Sequence, residues 1–131
     1  MYVQGFIVPV PADKQDEYRA VAEKFWPIAQ DYGATEHVEC WEENVPDGKQ
    51  TDFRRSVDLA EGEKVVFSWV IWPDKATCDA SHDKMMTDPR MELIPRLAGV
   101  PIVVLTGHAA EWHLPGVGRR TPVRDHRRGS R

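Results

Sequence analysis

Three residues in alternation, His37, Glu39 and Trp41, are the set in this sequence best suited to chemistry. They lie in the run TEHVECWEE over residues 35–43, which reads as a strand. Successive side chains of an extended chain leave opposite sides, so these three share one face and Val38 and Cys40 share the other. A histidine and a carboxylate beside an aromatic wall outline a general acid–base pair. Burial lowers a histidine pKa and a neighbouring carboxylate raises it, which brings proton transfer near neutrality within reach. Ser68 and Trp69, inside a second apolar run, complete the candidate lining of a ligand cavity, with His37 and Glu39 in the catalytic role and Trp41, Ser68 and Trp69 as ligand contacts. The competing reading is that these residues fill a subunit interface or stand half exposed.

Other sets are weaker. Cys78 and His82 are one helical turn apart beside Asp79 and Asp83, half of a zinc site, but no CxxC or HExxH supplies the remaining ligands. No metal and no cofactor are therefore expected. Cys40 shares the apolar strand face with Val38, where a cysteine is an inert small hydrophobe rather than a nucleophile. Trp26, Trp41, Trp69 and Trp72 could stack on a flat ligand or on haem, but such a set more often fills core and interface. The glycines are scattered, without a GxGxxG or Walker pattern. Arg54-Arg55 could hold an anion, though an isolated pair is usually a solvated feature of an edge strand.

The elements that must position these residues are organised around Lys64–Arg90. Val65–Trp72 is apolar except at Ser68, rich in β-branched and aromatic residues, and stopped by Pro73, so it reads as a strand covered on both faces. Val65, Phe67, Trp69 and Ile71 point one way; Val66, Val70 and Trp72 point the other. Asp74 is placed to cap a following helix and Asp88-Pro89 to close it. Upstream, Tyr2–Val10 reads as a strand. Asp13 is a candidate N-cap for a helix carrying Tyr18, Val21, Ala22, Phe25, Ile28 and Tyr32 at helical spacing, with Gly33 after its end and Pro27 expected to kink it or disturb its last turns. Asn44–Gln50 is a loop, Thr51–Leu59 a short edge strand anchored by Phe53, Met91–Leu97 a helical turn, and Val100–Thr106 a last strand that Ala109–Leu114 could extend. The order β, α, β, insertion, β, α, β is the split βαβ, or ferredoxin-like, arrangement: an α+β fold with a four-stranded antiparallel sheet in the order 4-1-3-2 and both helices on one face.

Charge is unevenly spread. Residues 114–131 hold six arginines and one aspartate, whereas residues 1–113 hold 11 basic and 20 acidic residues. The acidic body argues against a nucleic-acid partner, and no apolar run has the length of a membrane span. Two cysteines and the lack of a signal-peptide pattern point to a reduced, cytoplasmic protein. Residues 1–114 are expected to form one domain, and the Arg-, Gly- and Pro-rich residues 115–131 a disordered tail.

MYVQGFIVPVP at the start, YRAVAEK in the first helix, YGATEHVECWEENVPDGKQTDF in the middle, and EKVVFSWVIWP followed by DKMMTDPR resemble, in order, the YbaA-like family of small bacterial proteins, a domain of unknown function. The resemblance extends over about residues 1–97. It implies a dimeric α/β-barrel, two ferredoxin-like sheets packed face to face, and no established reaction. Beyond Leu97 the chain departs from the family's Gly- and aromatic-containing last strand. An out-of-frame reading and divergence are the two accounts of that departure, and the gene's other two frames separate them. The expectation is a homodimer that binds a small organic ligand or is structural, without established catalysis. The alternative is a small cofactor-independent oxygenase or isomerase working in the barrel cavity between the sheets.

Overall fold

A computed structural model describes residues 1–94 and 100–109. The strands are β1 (Tyr2–Pro11), β2 (Glu36–Trp41), β3 (Glu63–Trp72) and β4 (Val103–His108); the helices are α1 (Gln15–Asp31), a single turn α2 (Phe53–Ser56) and α3 (Lys75–Thr87). The sheet order is β2-β3-β1-β4 with every neighbouring pair antiparallel. This is the ferredoxin-like topology expected from the pattern, with the β3 run at the centre. The expected tail from Pro115 lies outside the described residues, as do Leu97 and all of Ala109–Leu114 beyond Ala109.

The even-numbered residues of β1 and β3 make the floor under the helices. Tyr2, Val70 and Trp72 pack with Ala29 and Ala34 at the end of α1 and with Cys78 of α3. Val8, Val10 and Val66 form a second cluster against Phe6, Tyr18 and Trp41. Trp72 can be fully buried because its Nε1–H donates to Gln4 Oε1 at 2.8 Å, so its polar atom is satisfied. The odd-numbered residues Phe67, Trp69 and Ile71 face the other side, away from α1 and α3, where the single turn α2 lies against Phe67 through Phe53.

The helix ends follow from local chemistry. Asp74 accepts the Thr77 N–H at 2.7 Å and starts α3, as the sequence indicates. Gly33 stands at φ +107°, and a Cβ there would meet Thr77 Cγ2 at 2.6 Å, so both backbone and packing require glycine at the end of α1. Asp13 does not cap α1. Ala12–Lys14 forms a tight 3-10 turn first, held by the Ala12 N–H on the Gly62 carbonyl at 2.9 Å, and α1 begins behind it without a side-chain cap. Helix α1 runs on through Pro27 to Asp31.

At the far end of α3, Asp88 takes an extended conformation before Pro89 and joins two helices. Its carboxylate accepts from Tyr32 Oη at 2.7 Å, from the Arg90 N–H at 2.9 Å and from the Arg90 guanidinium at 2.8 Å, while Arg90 also reaches Asp31 at 2.7 Å. The Arg90 hydrogen bond foremost, then that from Tyr32, hold Asp88 well below the usual carboxylate range. The DPR segment therefore clamps the C-terminal ends of α1 and α3 together. A 3-10 turn over Pro89–Leu93 follows; of the turn expected over Met91–Leu97, residues 95–97 lie outside the described residues.

The expected edge strand over Thr51–Leu59 is instead the turn α2. Asp52 accepts the Arg55 N–H at 2.9 Å, and Phe53 stacks on Phe67 with ring centroids 6.0 Å apart. A capped turn with an aromatic anchor satisfies this segment locally, so it needs no sheet partner. Arg54 and Arg55 are spent within the same loop, on Asp47 and on Asp52 and the Gly48 carbonyl.

Candidate functional site

Alternation on β2 places His37, Glu39 and Trp41 on one face, opposite Val70, Ser68 and Val66 of β3 respectively. Those three β3 residues are buried beneath the helices. The row therefore faces α1, and the candidate cavity lies between α1 and the sheet rather than between two sheets. Ser68 stands on the same side, directly across from Glu39. Trp69 does not: it pairs with Val38 and Gly5 on the opposite face, 5.4 Å from the Phe67 ring. Cys40, expected to be buried, is exposed on that open face opposite Phe67. Alternation fixes which residues share a face but not which face the helices cover, and this accounts for both corrections.

The site is built around Glu39. Its Oε1 lies 2.7 Å from His37 Nε2, and its Oε2 accepts from Tyr18 Oη at 2.8 Å. Tyr18 arrives from the first turns of α1, so two elements converge on one carboxylate. The His37 side chain is 8% exposed and that of Glu39 27%. Phe25 meets the imidazole edge-on at 5.5 Å and Trp26 at 6.1 Å, so α1 supplies the walls that fix the ring. Burial first, then the charge and hydrogen bond of Glu39, push the Tyr18 phenol well above its ordinary value. It therefore stays protonated and remains a donor.

Two hollows meet at this trio. A groove of about 590 Å³ runs along α1 past Tyr18, Trp26, His37, Glu39 and Trp41. A recess of about 220 Å³ continues inward to Phe6, Phe25, Val70 and Ser68, with Ile94 and Ile102 at its side. β2 is an edge strand, which keeps the Glu39 carboxylate at the mouth, in reach of water. With Glu39 ionised, the His37 tautomer carrying hydrogen on Nε2 donates to it and leaves Nδ1 as the proton acceptor. The trio can thus hold a polar group and move a proton.

Tyr18 is the member that sequence reasoning assigned otherwise. It opens the apolar stripe of α1 and reads as core, yet its hydroxyl reaches past the stripe to β2. The one signal was its place at the end of the stripe, where a ring can be buried while its polar tip finds a partner. The Cys78–His82 pair is divided: Cys78 lies in the core, where burial pushes its thiol up, and His82 is exposed. No group of three metal-ligating side chains occurs among the described residues. No helix among them is long and apolar enough to cross a membrane.

Comparison with known proteins agrees with the resemblance read from residues 1–97. The YbaA protein of Escherichia coli K12 is 55% identical over 91 residues, covering 70% of this chain and 78% of that protein, and the Shigella flexneri YbaA matches to the same extent. Both are named as uncharacterized proteins. Among solved structures, a dimeric ferredoxin-like protein of unknown function from Jannaschia sp. CCS1 aligns over 83% of this chain and 100% of that chain, with 16% identity and a TM-score of 0.47. The de novo designed protein Foldit4 aligns over 83% and 98%, with 13% identity and a TM-score of 0.45. The sequence model of the family described as Protein of unknown function (DUF1428) matches residues 1–98, and the chain belongs to that family.

Proposed function

We propose that this protein is a cytoplasmic homodimer that binds a small organic molecule in the cleft between α1 and the sheet. The observation that carries this reading is the convergence of Tyr18 Oη and His37 Nε2 on the Glu39 carboxylate where the groove meets the inner recess. Convergent polar groups at the mouth of an apolar hollow are the usual make-up of a small-molecule site. The free thiols Cys40 and Cys78 suit a reducing compartment. The uncovered sheet face suits a second copy of the chain: Phe53, Phe67 at 42% exposure and Leu105 at 76% form an apolar surface with Trp69.

A second reading is favoured by the His37–Glu39 geometry. A histidine oriented by a carboxylate can take a proton from a bound ligand and return it elsewhere, which would make the protein a cofactor-independent isomerase. Both readings use one site and share one test. Native mass spectrometry of freshly purified protein identifies a retained small molecule, and its retention is then compared in His37→Ala and Glu39→Gln. Both variants should lose most of the bound molecule while keeping the wild-type circular dichroism spectrum. Equal retention by both would remove the cleft from consideration.

A further inference from the structure

The inner recess carries a feature that the His37–Glu39–Tyr18 trio does not use. Ser68 is the polar interruption of β3 and only 3% exposed. Among the described residues its hydroxyl makes no hydrogen bond, and no sealed polar side-chain atom is left without a partner. Ser68 lines the recess, where its hydroxyl is placed to meet a bound group. A strand otherwise built of valine, phenylalanine and tryptophan would gain packing from valine at this position. A buried hydroxyl without a partner is a cost unless something hydrogen-bonds to it. The other walls near it, Phe6, Val8, Val21, Phe25 and Val70, are hydrocarbon.

We propose that the molecule taken by this site is small, uncharged and mainly hydrocarbon, with a single oxygen function seated on Ser68 Oγ. The proposal rests on reading the cleft as a ligand site and adds its ligand class. The recess seats a small group: about 220 Å³ takes roughly eight to ten heavy atoms, and any further part of the ligand lies in the groove outside. Neutrality follows from the walls. Glu39 is the one charged group lining the recess among the described residues, and its two oxygens already accept from Tyr18 and His37. An anion would meet that carboxylate with no lysine or arginine among the described lining residues, and an ion of either sign seated at Ser68 would be desolvated against hydrocarbon walls. Ser68 both donates and accepts, so a hydroxyl and a carbonyl are equally served.

The test uses toluene, p-cresol and 4-methylbenzoate as probes, which share a ring and differ in oxygen and charge. Each is titrated into the full-length 15N-labelled protein while the amide signals of Val38–Cys40 and Phe67–Trp69 are followed. The wild type should bind p-cresol about fivefold more tightly than toluene, the worth of one net hydrogen bond, and 4-methylbenzoate more weakly than either. In Ser68→Ala, and in Ser68→Val as a second variant, the preference for p-cresol over toluene should disappear while toluene binding persists. Equal binding of p-cresol and toluene by the wild type, or tight binding of 4-methylbenzoate, would overturn the ligand class and leave the cleft as a site. Absence of any shift at these amides with all three probes would remove both.

Discussion

Glu39 holds its place because two donors from different elements fix it, and each donor can be removed alone. Tyr18→Phe deletes only the hydroxyl that reaches Glu39 Oε2 at 2.8 Å. The ring stays in its cluster with Val8, Val10 and Val66, so the variant should fold and lose about 0.5–1.5 kcal/mol of stability in a urea titration. Its binding of p-cresol should weaken as well, because the carboxylate at the mouth is then held by His37 alone. A stability change without any effect on binding would mark Tyr18 as structural only. At this scale the sequence was legible in part. The alternation His37, Glu39, Trp41 set three side chains in one row, and the row exists. Which side the helices cover depends on tertiary packing, and so Trp69 was grouped with residues from which the sheet separates it. The role of Tyr18 was hidden for a related reason: helical spacing shows where a ring is buried, not where its hydroxyl ends.

Elements with local punctuation were the ones readable in advance. Asp74, Gly33 and Asp88-Pro89 each act through backbone chemistry confined to a few residues, and each ends or begins a helix as read. The segment around Phe53 was not, because a short run flanked by turns satisfies strand and helix patterns alike until the Phe53–Phe67 stacking decides. Asp13 failed as a cap because the backbone link from Ala12 to Gly62 forms a tighter turn first. The clamp at Asp88 gives an element-scale prediction. Its folded pKa is depressed, so the stability it contributes is fully present above the unfolded value of about 3.9 and is lost as pH falls through the lower folded value. Asp88→Asn should therefore melt below wild type at pH 7, and the gap should narrow as the pH is lowered under about 4. A gap independent of pH would show that the carboxylate charge is not what joins α1 to α3.

The described residues present two surfaces of different character: a cleft under α1 with titratable groups, and an apolar open face bearing Phe67, Trp69 and Leu105. Strand count, order and the split βαβ pattern were legible because the β3 run is greasy on both sides and both crossovers are helical. Which side of β2 the helices cover was not, since a dimeric barrel and a helix-covered cleft impose the same periodicity on that strand. If the open face is the subunit interface, sedimentation at micromolar concentration should give about twice 15.0 kDa. Trp69→Glu should shift it to the single-chain mass, because a charge on that face would be buried without a partner. A wild-type monomer would remove the interface and leave the cleft untouched. The central claim is that ligands enter beneath α1 and not between sheets, and crystals soaked with uncharged, oxygen-bearing ring fragments test it most directly. The account predicts fragment density in the recess, within hydrogen-bond distance of Ser68 Oγ or of the His37–Glu39 pair. Density confined to the open face around Trp69, with the recess empty in every soak, would contradict it.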